Sequence, residues 1–309
     1  MALEHLGYVD LPPHAAAGGF DHAAVHGRRG LLYVAHTAND AVDVIDCVSR
    51  TYLRSVPGLP RVAGALVAEA DDLVFTSNRG ENTVGIFSPS READPARVKV
   101  GIGPNGLAYA ADQRLLLAAN VGDPTRRGSF TISLVDVPYR TLVGTVPVPG
   151  RTRWAVFDAA SGRFYVNIMD PPQIVAVDSA DPTRLADAFP MPAAGPHGLD
   201  LDPATRRLFC ACDGRTLLVV DSRSGAVLSA HAIGGEPDVV FFNAARGHLY
   251  VAIGDPGIIE VFDTETMRRI ESVGTERGAH TIGYDAARDT VYAFLPATHR
   301  AAVYRDQAG

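Results

Sequence analysis

The sequence predicts an all-β fold, a seven-bladed β-propeller with four antiparallel strands in each blade. Three observations predict it. One motif recurs seven times at a nearly constant spacing. Each copy holds four β-type segments and no convincing helix. A spare strand at the N-terminus answers a missing one at the C-terminus.

The recurring motif is a short apolar strand of the type "LYVA", followed about ten residues on by a second one of the type "VDVID". Its copies are "LLYVAHTANDAVDVID", "LVFTSNRGENTVGIFS", "LLLAANVGDPTRRGSFTISLVD", "FYVNIMDPPQIVAVD", "LFCACDGRTLLVVD", "LYVAIGDPGIIEVFD" and "VYAFLPATHRAAVYR". Their last residues, Asp46, Ser88, Asp136, Asp178, Asp221, Asp263 and Arg305, are separated by 42, 48, 42, 43, 42 and 42 positions. The one longer step is the insertion "DPTRRGS" in the third copy. Around the two motif strands each unit adds a first segment such as "HGLDLD" or "HTIGYD" and a last one such as "RTYLRSV". Alternating Val, Ile, Tyr and Phe, punctuated by Gly, Pro, Asp and Asn, is a strand-and-turn pattern. Four strands per repeat of this length means propeller blades. A solenoid would need capping ends, and none is evident. The seventh unit ends at "AAVYRDQAG" without a fourth strand, and "EHLGYVDLP" supplies one, so residues near Gly7–Leu11 are expected to pair beside Ala301–Tyr304. Closure in this way leaves no open sheet edge. Residues 1–309 read as one propeller domain.

Composition narrows the function. The net charge is −7 and the pI about 5.8, which does not favour a nucleic-acid partner. Lys99 is the only lysine, and its setting, "RVKV", reads as a solvated strand face. Cys47, Cys210 and Cys212 are an odd count with a C-x-C pair, which is no disulfide framework. The start, "MALEHLGYVDLPPH", has neither a basic nor an apolar leader region, and no apolar run approaches a membrane span. The expectation is a soluble, cytoplasmic chain without a membrane partner. There is no G-x-S-x-G elbow, P-loop or H-E-x-x-H.

The segments "FDHAAV", "LYVAHTANDAVDVID", "FYVNIMDPPQIVAVD", "HGLDLDPATRRLF" and "RGHLYVAIGDPGIIEVFDTET" resemble the YVTN-repeat, YncE-like propeller family over essentially the whole chain. That resemblance implies the fold and no single activity. Virginiamycin B lyase and the gluconolactonase-like hydrolases resemble the chain in architecture only.

Aligning the repeats projects two rings of side chains onto one face. The inner ring, at the start of each first strand, is His22, Ala63, Asn105, Arg153, His197, Asp238 and His280. The second ring, at the end of each second strand, is His36, Asn78, Asn120, Ile168, Cys212, Ile253 and Leu295. One pocket wall would then be polar and the other apolar, as an organic ligand with a polar end needs. His22 and His280 come from adjoining blades and, with Asp238, are the catalytic candidates for hydrolase, lyase or isomerase chemistry. His36, Asn78, Asn105, Asn120, Arg153, Trp154, His197 and Cys212 are the candidate binding residues, with Arg153 orienting an anion. His22, His197 and His280 could instead hold a divalent metal ion. Three readings stay open: metal site, metal-free acid–base site, or hydrated channel. His5, His14, His26, His231, His248 and His299 read as surface residues. The competing class is a non-catalytic scaffold whose rim binds a protein partner, the channel being structural.

Overall fold

The computed structural model describes residues 2–307. Their strands form seven four-stranded antiparallel sheets arranged as a propeller, with only the short 3-10 turn Thr37–Asn39 in helical conformation. Within blades 1 to 6 the four strands follow one another in sequence from the axis outward. The inner strands are Ala23–His26, Val62–Ala68, Pro104–Ala110, Thr152–Asp158, Pro196–Asp202, Glu236–Asn243 and, in blade 7, Ile282–Asp285.

Blade 7 takes its outer strand from the N-terminus. Leu3–Asp10 pairs antiparallel with Arg300–Asp306, placing Gly7 opposite Val303, Tyr8 opposite Ala302 and Val9 opposite Ala301. Leu3 and Val9 are each 2% exposed, so the strand is packed as well as hydrogen-bonded.

The repeated residues have local reasons. The Asp that ends a third strand closes the following turn: Asp46 Oδ1 accepts the Val48 and Ser49 N–H groups, both at 2.8 Å, and Asp221 and Asp263 accept in the same way from Ser224 and Thr266. Such side-chain acceptors replace backbone partners that a tight turn cannot supply. The middle of the second strand carries a large apolar group, at Tyr33, Phe75, Leu117, Tyr165, Phe209, Tyr250 and Tyr292, all fully buried. These groups fill seven hydrophobic clusters. Each lies between two consecutive blades, the last between blades 7 and 1. A blade therefore completes its core only against its neighbours. None of the described residues forms a helix long and apolar enough to cross a membrane.

Two histidines expected on the surface are buried instead. His26 is 1% exposed and its Nε2 lies 3.0 Å from Asp72 of the next blade. His248 is 8% exposed with Asp306 2.9 Å from its Nδ1. Both begin or end strands at inter-blade seams, where an imidazole reaches the neighbour's carboxylate. A surface reading of His-rich turns misses this.

Candidate functional site

The inner strands start on one face, and there the structure gathers a charged ring around the axis. Its members are not all those expected. His197 lies five residues before Asp202, the end of its inner strand, and His280 five before Asp285. In blade 1 the residue five before the strand end, His26, is Asp21. The hydrogen bonds agree: the Ala35 N–H donates to His22 O at 3.0 Å as Phe294 N–H donates to Thr281 O at 3.0 Å, so His22 corresponds to Thr281 and Asp21 to His280. Asp21 is therefore the ring residue, and His22 sits one step deeper.

At that deeper level the chain uses glycine in three blades. A Cβ on Gly64 would meet the Asn105 carbonyl at 2.6 Å, one on Gly106 the Arg153 carbonyl at 2.4 Å, and one on Gly198 the Asp238 carbonyl at 2.2 Å. Each missing side chain lets the next blade's inner strand pack closely against its neighbour. His22, 6% exposed, fills this level together with Trp154, their rings 4.1 Å apart across the axis. Burial lowers the His22 pKa despite nearby Asp21 and Asp238, which keeps the imidazole neutral at pH 7.

Above this pair the ring is a charge network. His197 has Nδ1 2.7 Å from Asp213 and Nε2 3.1 Å from Asp238. Burial opposes its charge, but Asp238 and Asp213 outweigh that and raise its pKa to about 9. Asp238 is held well below the usual carboxylate range: burial alone would push it up, and His197, then His280 and His22, more than reverse this. Arg153 Nη1 approaches His197 Nε2 at 3.1 Å. With His197 protonated this is a contact between like charges, offset by Asp213, 3.7 Å from Arg153 Nη2. His280 is the most open member, 37% exposed, with Asp238 3.7 Å from its Nε2.

Two further arginines complete the mouth, both missed in the sequence because they lie in loops. Arg79 pairs with Asp21 at 3.4 Å and donates to Asn105 Oδ1. Arg151, an exposed loop residue, has no carboxylate within pairing distance among the described residues and lies near Arg153 and Arg79, whose charges help lower its pKa. The Nε atoms of Arg79 and Arg153 are buried without a hydrogen-bond partner. Four cationic groups, Arg79, Arg151, Arg153 and His197, thus face three carboxylates, Asp21, Asp213 and Asp238.

The second ring is not in the channel. His36 is fully buried between Asp43, 2.7 Å from Nδ1, and His14, 2.7 Å from Nε2. Asn78 donates to Thr83 at 3.0 Å, and Asn120 to Thr131 and Ser133 at 3.0 and 2.9 Å, tying each second strand to its third. Cys212 is buried in an apolar cluster. A second strand lies one strand out from the axis, so its last side chain meets the blade beside it and the inner strand covers it. Nor does the structure bring His22, His197 and His280 together as a metal centre. Both His197 nitrogens are engaged by carboxylates, and no group of three or more His, Cys, Asp or Glu among the described residues is arranged to hold a metal.

Below His22 and Trp154 the axis widens into a cavity of about 840 Å³ that opens on the opposite face. Its walls are Ala, Val and Leu with Tyr109, Phe157, Phe241 and Tyr284. Polarity is thus divided along the axis, charged above and apolar below, rather than between two walls of one pocket.

No family model matches the chain, and no curated protein matches it. Solved structures share the fold. A Kuenenia stuttgartiensis hydrazine synthase chain superposes with a TM-score of 0.82 at 13% identity, covering 97% of each chain. A chain of a mitotic checkpoint complex does so with a TM-score of 0.82 at 9% identity, covering 97% of this chain and 91% of that one. At such identities the likeness is one of fold.

Proposed function

We propose that this propeller binds a small organic anion at the charged mouth of its channel. The supporting observation is the pair of buried, partnerless guanidinium Nε groups of Arg79 and Arg153 beside the unpaired Arg151. Buried donors are normally satisfied. A carboxylate or phosphate seated among three guanidinium groups would satisfy these and balance the excess positive charge. Asn105 and His280 would supply the neighbouring polar contacts. The test compares malonate with its uncharged diamide by calorimetry. Malonate should bind and the diamide should not, and Arg153→Gln should weaken malonate at least tenfold. Equal binding of both compounds, or an unaffected Arg153→Gln variant, would refute the reading.

Catalysis at the same mouth is favoured by the exposure of His280 with Asp238 behind it. A carboxylate orients an imidazole for proton transfer in hydrolase, lyase or isomerase chemistry. His22, buried against Trp154 with its Nε2 3.3 Å from Asp21, would support that site from below. The scaffold reading draws on the bare apolar side chains of blade 3, Tyr139, Leu142 and Val143, 80%, 44% and 48% exposed.

A further inference from the structure

The apolar cavity is a second compartment, separated from the charged mouth by His22 and Trp154. Its volume, about 840 Å³, falls in the range of small-molecule sites. One side chain in its lining does not belong to an apolar wall. Asp200 stands midway along the inner strand of blade 5, where its neighbours on the adjacent blades are Val156 and Phe241. Asp200 Oδ1 accepts the Leu201 N–H at 2.8 Å and Oδ2 the Phe242 N–H at 2.6 Å. Each oxygen keeps a further lone pair, and among the described residues no cation pairs with it. Burial raises its pKa to about 6 against those two hydrogen bonds. At neutral pH it is therefore a carboxylate without a counter-ion, in an aromatic-walled cavity. Glu69 and Asp71 line the cavity further out, each paired with an arginine, Arg28 at 3.5 Å and Arg114 at 3.6 Å.

We propose that this cavity binds a hydrophobic amine, with its ammonium group at Asp200 and its apolar body between Trp154, Phe241 and Tyr284. A cation is what the carboxylate lacks, and aromatic faces attract cations through their quadrupoles. An anion would lie against the Asp200 carboxylate, which has no counter-ion among the described residues, and be repelled by it. A neutral apolar molecule would leave the carboxylate uncompensated, which low-dielectric surroundings penalise.

The chain carries its own reporter, because Trp154 is its only tryptophan and forms part of the cavity ceiling. Three ligands of one shape that do not absorb near 280 nm suit the test: 1-adamantylamine, 1-adamantanol and 1-adamantanecarboxylate. The amine should shift Trp154 emission and bind at least tenfold tighter than the alcohol, and the carboxylate should not bind from this side. Asp200→Asn should remove the preference for the amine. Ala24→Phe, which narrows the cavity, should weaken amine and alcohol together. Circular dichroism melts establish that each variant is folded. If Asp200→Asn does not fold, the wild-type comparison and Ala24→Phe still decide. Equal affinity for amine and alcohol, or binding of the amine with no change in Trp154 emission, would overturn the proposal.

Discussion

Replacing His197 by Gln should flatten the loss of stability that the protein suffers in mildly alkaline solution. In the folded ring Asp238 and Asp213 hold the His197 pKa up from 6.5 to about 9. A group whose folded pKa is raised adds stability that is complete below its unfolded value and disappears as the pH climbs through the folded one. At about 1.4 kcal/mol per pH unit, the interval between 6.5 and 9 corresponds to about 3 kcal/mol. On the acid side the same contact is reported by Asp238. Its pKa is depressed below 3.8, so that contribution is present above 3.8 and fades as the pH falls further. The plateau lies between about pH 4 and 6.5. Urea unfolding at pH 6 and pH 9 measures this directly from the midpoint at constant slope. The wild type should lose about 3 kcal/mol more than His197→Gln between the two conditions. An equal loss in both proteins would show that the two carboxylates do not hold a proton on His197.

Two further outcomes follow from packing. Deleting residues 2–11 should lower the melting temperature of the whole protein, because Leu3, Val9 and Leu11 leave the core and a sheet edge opens; a melting curve unchanged by the truncation would refute closure by this strand. The three cysteines should resist Ellman's reagent until the protein unfolds, since all are buried and burial pushes the Cys47 thiol up to about 12. Labelling of the native protein at the rate of a free thiol would contradict that burial.

The ring is legible in the sequence because most blades repeat the same local solutions: in five of the seven motif copies an Asp at the end of the third strand, and in all but blade 3, which has Leu117, an aromatic ring mid-strand to fill the seam with the next blade. The site is legible only in part. Arg153, His197, Asp238 and His280 do reach the axis, since inner-strand positions follow directly from the repeat. The error in blade 1 arises because "FDHAAV" offers Asp21 and His22 side by side, and matching His to His hides a one-residue offset. Counting back from the strand end would have chosen Asp21. His36, Asn78, Asn120 and Cys212 share a repeat position, but the direction of their side chains depends on how far the inner strand covers them. Arg79 and Arg151 lie in loops, where the repeat fixes no geometry. Asp200 is one of two aspartates in "HGLDLD", and only the fold separates the one facing the cavity from Asp202, which closes a turn.

The pairing that completes blade 7 also sets how the molecule bears load. Leu3 stands opposite Asp306 and Asp10 opposite Arg300, so both chain ends leave the same end of the paired strands. Tension applied across the termini would peel these strands apart from that end, breaking their hydrogen bonds in succession rather than shearing them together. Each bond adds only about 0.5–1.5 kcal/mol to stability. The ring is thus mechanically weakest where its two ends meet, and a pull would open that clasp before it disturbed the blades on the far side.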